Sequence, residues 1–213
     1  QASEAEITLT QAGGGVMTLS KPADRIITLA PNLAELVFAA GAGHKLEAVV
    51  EYSNFPEAVK AIPRVGDAFR IDLERIISLN PDIVIAWRSG NPRTALQKLE
   101  AMGFKVWQIE ITRPEEVAEV LEHISVATGT EGHGLPAARQ LRRKFTDLKQ
   151  AHADKTPVDY FYQIAPRPLY TINGHHIISR SLEVCGGRNV FSGLTSLAPQ
   201  ISRESVLLAN PLA

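Results

Sequence analysis

Cysteine is almost missing from this chain: it occurs once, at Cys185, in 213 residues. A lone thiol is ordinary in a reducing compartment, whereas an odd cysteine in an exported protein asks for a partner. Long apolar runs are missing too, since none approaches the roughly 20 residues that span a bilayer. Neither sign of charge prevails, with 22 basic and 23 acidic residues. That balance leaves nucleic-acid binding without its basic face and a membrane surface without a polybasic anchor. The signatures of common catalysts are absent as well. No Gly-x-Ser-x-Gly elbow occurs, and no dinucleotide fingerprint follows a first strand. Gly13, Gly14 and Gly15 form a run, but no Lys-Ser/Thr follows, so they make a turn and not a phosphate loop. These absences argue against an enzyme and against a resident metal or cofactor. Methionine is missing from position 1, where the chain starts QASEAE. Such a start is expected after removal of an N-terminal segment, a signal peptide or a tag.

What is present is a regular alternation. Residues 7–19 alternate apolar and polar around the glycine run and predict a β-hairpin. Residues 25–43 predict a buried strand, a loop at Ala30-Pro31-Asn32 and a short helix stopped at Gly41. Strands are expected at 45–50, 82–87 and 105–110, with helices at 71–81 and 91–104 between them. Asn91 is expected to N-cap the second of these helices, with Pro92 at its first position. Thr112-Arg113-Pro114-Glu115 reads as a capping box for a helix running to Thr128. Strands alternating with helices indicate an α/β fold with a mostly parallel sheet. Trp107 falls inside a strand pattern and is expected in the core.

Gly129 to Gly134 reads as a break, followed by one long helix over 135–155. Leu135, Ala138, Leu141, Phe145 and Leu148 recur there at helical spacing. Alternation then restarts with a strand at 158–164 and a helix at 178–187. The chain therefore divides into an N-terminal α/β lobe with its hairpin (1–130), a connecting backbone helix (131–155) and a C-terminal α/β lobe (156–213). Residues 71–83, IDLERIISLNPDI, align without gaps with residues 201–213, ISRESVLLANPLA. The common pattern is Ile, two residues, Glu, one residue, two aliphatics, two residues, Asn-Pro, which marks an internal repeat. The first copy leads into the strand DIVIAW, whereas the second stops at Ala213. The second lobe is on this ground expected to be incomplete.

Ligands of α/β sheets sit beyond the carboxyl ends of the strands. Ala30-Pro31-Asn32, Glu51-Tyr52-Ser53, Trp87-Arg88 and the APRPLY loop after Ile164 fall at such ends. Tyr52, Phe69, Trp87 and Tyr170 offer flat rings with few charges, suited to a bulky, planar, partly apolar ligand. The sequence at this point resembles a known family. RIITLAPNLAELVFAAGA, YSNFP, LERIISLNPDIVIAWRSGN, LEVCGG-NVF and PQISRESVL match the pattern of the class III periplasmic substrate-binding proteins of ABC importers, the cobalamin-binding branch above all. The resemblance runs from about residue 25 to the chain end.

That resemblance implies two lobes joined by one long backbone helix. It implies a periplasmic location after loss of a signal peptide, capture of cobalamin or a related corrinoid between the lobes, and delivery to an inner-membrane ABC permease. Haem or a ferric siderophore is the alternative ligand within the same fold. The resemblance makes Pro31, Asn32, Tyr52, Phe69, Trp87, Arg88 and Tyr170 ligand-binding. Phe69 and Ala198 stand where the cobalamin binders carry tryptophans. Glu74 and Glu204, the glutamates of the repeat, are implied to dock on permease arginines. Helix capping is their plainer role. Cys185 matches a cysteine that the family joins to one far downstream. His175-His176 lies in a Gly-flanked loop, either as plain surface or as an axial ligand to haem iron or a lower ligand to cobalt.

Overall fold

The computed structural model describes residues 6–67 and 69–213. The start QASEA lies outside the described residues. Chain contacts divide the molecule into two compact units. One holds the described residues through Glu110 together with Ala118–Arg139, and the other holds Ile111–Val117 and Gln140–Ala213.

The first unit opens with an antiparallel hairpin, β1 (Ile7–Thr10) and β2 (Val16–Leu19), in register Ile7↔Leu19. Then come β3 (Ile26–Thr28), α1 (Pro31–Ala39), β4 (Leu46–Ala48), α2 (Leu73–Leu79), β5 (Ile83–Trp87), α3 (Arg93–Ala101) and β6 (Val106–Ile109). These strands make one parallel sheet in the order β4-β3-β5-β6. This is the parallel α/β arrangement that the alternation predicts. Every residue of β3 is buried, as are Ile83 through Ala86 of β5. Strands without polar alternation are what a sheet covered on both faces requires. Ile27, Leu29, Val50, Ile76, Val84 and Leu99 are among the residues of one continuous core. Trp107 is 1% exposed, and its indole N–H donates to the Thr10 carbonyl at 2.9 Å. The hairpin turn is tied to the sheet edge by Gln11. Its Nε2 donates to the Val106 carbonyl at 2.9 Å, and its Oε1 accepts the Gln108 N–H at 2.7 Å.

Three expectations change here. The break expected over 129–134 shortens to Gly129-Thr130, where Gly129 takes φ 66° between α4 (Pro114–Thr128) and α5 (Glu131–His152). Gly134 lies inside α5, and a Cβ there would stand 2.3 Å from the Ser125 Cβ. Its glycine answers to close helix packing, not to a turn. The division between units falls inside α5, between Arg139 and Gln140, instead of at either end of the helix. The box before α4 is closed by Glu116, not Glu115. Its carboxylate accepts the N–H groups of Thr112 at 2.7 Å and Arg113 at 3.1 Å. Burial alone would raise the Glu116 pKa, but those N–H donors outweigh it and hold the carboxyl below its ordinary value.

The second unit carries β7 (Val158–Tyr160), β8 (Ala165–Pro166), β9 (Leu169–Tyr170), α6 (Ile177–Val184), β10 (Gly187–Asn189) and α7 (Arg203–Ala209). β10 and β7 pair in parallel, Gly187↔Val158. The APRPLY segment, expected as a loop, forms the antiparallel hairpin β8–β9. The expected strand over 158–164 shortens to β7.

The repeat is repeated in geometry. Asp72 caps α2 by accepting the Arg75 N–H at 3.0 Å, and Ser202 caps α7 by accepting the Ser205 N–H at 3.1 Å. Both helices end on a left-handed asparagine, Asn80 at φ 46° and Asn210 at φ 43°. Asp82 and Ile83 then donate to the Arg25 carbonyl, as Leu212 and Ala213 donate to the Asp159 carbonyl. Burial distinguishes the copies: Ile76 is 0% exposed while its counterpart Val206 is half-buried, and the next pair, Ile77 and Leu207, are 40% and 79% exposed, with Leu208 at 87%. Ile76→Ala is expected to cost about 2–5 kcal/mol in chemical denaturation. Leu208→Ala is expected to stay within about 0.5 kcal/mol of the parent.

Candidate functional site

The carboxyl ends of β3, β4, β5 and β6 lie at one edge of the first unit's sheet. A side-chain network is built there around Trp87. The Trp87 backbone N–H donates to Asn91 Oδ1 at 2.7 Å, while Asn91 Nδ2 donates to the Leu29 carbonyl at 2.8 Å. Asn91, which is buried, thus ties the end of β5 to the end of β3. The expected N-cap role does not hold. α3 starts at Arg93 with Pro92 as its cap residue, because the Asn91 side chain is turned back to the strands. The Trp87 indole N–H donates to Ser89 Oγ at 3.0 Å. Ser89 in turn donates its hydroxyl and its backbone N–H to the Glu110 carboxylate, each at 2.9 Å. Gly90 lies against the ring, since a Cβ there would stand 2.9 Å from Trp87 Cδ1. The indole is half-buried and held on one edge, with hydrogen bonding that leaves its faces uninvolved.

Tyr52 follows β4 and is 81% exposed. Its backbone sits at φ 66°, a left-handed conformation that bulky residues rarely adopt. Strain of this kind persists where surrounding bonds enforce it, and it concentrates at functional sites. The enforcing bonds are visible. The Glu51 N–H donates to the Gly66 carbonyl at 2.8 Å, and Arg64 Nη2 donates to the Ser53 carbonyl at 2.9 Å. Gly66 opens the loop of Phe69, whose ring is 78% exposed. Asp67 shapes that loop by accepting the N–H groups of Phe69 and Arg70, both at 2.7 Å. Those two bonds hold the Asp67 carboxyl below its ordinary pKa. Glu51 therefore joins the Tyr52 and Phe69 loops. Phe55, not singled out from sequence, exposes a further ring in the Tyr52 loop. Its signal was its neighbourhood, two residues beyond Ser53 in the YSNFP stretch.

The other expected residues are placed as follows. Pro31 is the first residue of α1 and half-buried, and Asn32 is exposed beside it. Arg88 turns away from the indole, and its guanidinium donates to the Ala12 carbonyl of the hairpin turn. Arg88, expected among the ligand-binding residues, is here tied to that turn. Tyr170 lies in the second unit, half-buried in β9. Glu74 and Glu204 are exposed in the first turns of α2 and α7. Bonds from its own backbone N–H and from Ser202 hold the Glu204 carboxyl below its ordinary value. Cys185 is free and exposed at the end of α6. His176 caps α6 by accepting the Ile178 N–H on Nδ1 at 3.2 Å, and burial lowers its pKa. Among the described residues, no group of three or more His, Cys, Asp or Glu is arranged to hold a metal ion. No helix among them is long and apolar enough to cross a membrane.

Comparison with known proteins assigns the fold to a family. The periplasmic binding protein family profile matches residues 26–212. This chain belongs to the periplasmic binding protein family. A vitamin B12-binding protein of Vibrio cholerae serotype O1 is 38% identical over 190 residues, which is 89% of this chain and 69% of that protein. The solved periplasmic vitamin B12-binding protein BtuF of Vibrio cholerae superposes with a TM-score of 0.83 at 38% identity, covering 89% of this chain and 74% of that one. The periplasmic haem-binding protein HutB of the same organism shares the fold at 23% identity, with a TM-score of 0.73 over 88% of this chain and 73% of its own. The periplasmic binding fold and its compartment are therefore those that the motifs indicate.

Two outcomes follow for this periplasmic binding protein. Ser89→Ala removes the bond that holds the indole edge. The Trp87 ring is expected to move faster in time-resolved fluorescence anisotropy, with a stability loss of about 0.5–1.5 kcal/mol. For His176 the folded pKa lies below the unfolded value of 6.5. The unfolded chain therefore takes up the proton first, and stability present above pH 6.5 is lost as pH falls below it. Denaturation midpoints between pH 8 and pH 5 are expected to show this decline (about the range in which histidine titrates). His176→Asn, which keeps a cap acceptor, is expected to flatten it.

Proposed function

We propose that this chain captures a corrinoid, cobalamin first among its candidates, and hands it to the permease of an ABC importer. The observation that carries the reading is the held indole of Trp87, with Tyr52 and Phe69 exposed on linked loops of the same sheet edge. Large apolar rings suit a flat macrocycle with polar substituents. The likeness to vitamin B12-binding proteins over 89% of the chain supports a corrinoid as the macrocycle. Pro31, Asn32 and Phe55 complete the first unit's contacts. Haem-binding neighbours support the fold alone at 23% identity, so haem and ferric siderophores stand as second ligands to be tested. The role is capture and delivery, without catalysis.

Glu74 and Glu204 are assigned to the permease. Each is exposed on the first turn of its copy of the repeat, behind an equivalent cap bond and before the same asparagine stop. Paired carboxylates of this kind match basic side chains on a partner.

The test is an absorbance-monitored titration of the purified protein with cyanocobalamin, haemin and a ferric siderophore. Saturable binding of cyanocobalamin is expected. Trp87→Ala is expected to weaken it by about tenfold or more, for a loss of roughly 1.5–3 kcal/mol of apolar burial. Glu74→Lys and Glu204→Lys are expected to leave that affinity intact while reducing uptake through the importer. Binding of haemin alone would replace the corrinoid with the second ligand. Collapse of cyanocobalamin affinity in the glutamate variants would overturn the docking role.

A further inference from the structure

The glycine run that plays no part in ring binding borders a cavity of about 530 Å³. That volume suits a small ligand. Its wall includes Arg88, Arg93, Gln97, Gln108, Glu100 and the turn glycines Gly13 and Gly14, while Trp87 does not line it. The two arginines converge from different elements, one from the end of β5 and one from the first residue of α3. Neither is neutralised. The Arg88 side chain bonds to the Ala12 carbonyl, a neutral acceptor. Among the described residues, Arg93 has no ion-pair partner. A guanidinium with unused N–H donors presents a fork that fits carboxylate or phosphate oxygens.

The turn is shaped around this arrangement. Gly13 has φ +89°, and a Cβ there would stand 1.4 Å from Arg88 Nη1. Any other residue at position 13 would displace the guanidinium. Leu96 gives the wall an apolar patch, and several of its other polar groups are committed. Gln108 Nε2 donates to Glu100 Oε1 at 3.0 Å, and the Gln108 backbone N–H is taken by Gln11. Glu100 thereby marks a wall that accepts a donor group, while the arginines mark one that accepts an anion.

We propose that this cavity is a binding site for a small hydrophilic anion carrying a phosphoryl or carboxylate group, held by Arg88 and Arg93 against the Gly13-Gly14 turn. It is separate from the ring site and does not rest on the corrinoid reading.

The test titrates the ¹⁵N-labelled protein with inorganic phosphate and, in a second arm, with acetate, at constant ionic strength. Amide shifts of Gly13, Gly14 and Gln108 are the readout. Saturable shifts centred on these residues are expected in at least one arm. Phosphate alone would mark a phosphoryl-bearing ligand, acetate alone a carboxylate, and both the wider class. Arg93→Gln is expected to weaken binding by about tenfold and to leave cyanocobalamin affinity unchanged. Absence of saturation up to about 10 mM, equal affinity in Arg93→Gln, or a matching loss of cyanocobalamin affinity would overturn the separate anion site.

Discussion

Asn91 makes the bonds on which the sheet edge depends. It accepts from the Trp87 backbone and donates to Leu29, joining two parallel strands beyond the point where their own ladder ends. Backbone groups at strand ends would otherwise need water, and here they are buried. A lost partner in such a place costs about 1–3 kcal/mol. The bond also fixes where β5 stops, and so where Trp87 emerges. From that point Ser89 and Glu110 decide how the indole lies. Glu110 follows β6, so three neighbouring strands, β3, β5 and β6, share in setting one ring. Local strain at Tyr52 is enforced in a similar way, by bonds from Glu51 and Arg64 to distant loop carbonyls.

The repeat shows how far a short pattern reaches. Asp72 and Ser202 are different residues with the same task, an oxygen accepting the N–H three residues on. Asn80 and Asn210 both take the left-handed turn, which asparagine tolerates better than most side chains. The prolines after them prevent helix continuation and return the chain to extended form. The outcome is the same placement beside a parallel strand in both copies. Burial is not copied with it, because burial belongs to what each helix packs against. Ile76 sits in the first unit's core, whereas its counterpart Val206 is only half-buried and Leu207 beside it is exposed.

Much of this was legible before folding. The buried strands could be read from runs such as Ile83–Ala86, the hairpin from alternation around three glycines, and the repeat from spacing alone. The rings at strand ends were legible because strand direction and strand end follow from the alternation of elements. What was not legible depends on side chains meeting across the fold. Asn91 before Pro92 has the local form of a helix cap, but its Oδ1 accepts the Trp87 N–H and its Nδ2 reaches the Leu29 carbonyl, 62 residues away. Arg88 follows Trp87 in sequence but goes to the hairpin turn. Gly134 resembles a breaker until Ser125 is seen against it. The box before α4 was misplaced by one residue, since two glutamates stand side by side and only geometry selects Glu116.

The central claim is that Trp87, fixed through Ser89 and Glu110, forms a face of the corrinoid site. The chain has two tryptophans, and Trp107 is buried beneath the hairpin, so fluorine-labelled tryptophan separates them. The most direct measurement is the ¹⁹F spectrum of 5-fluorotryptophan-labelled protein during cyanocobalamin addition. The account predicts a saturable shift of the Trp87 resonance with the Trp107 resonance nearly still. Saturable ligand binding with an unchanged Trp87 resonance would contradict it.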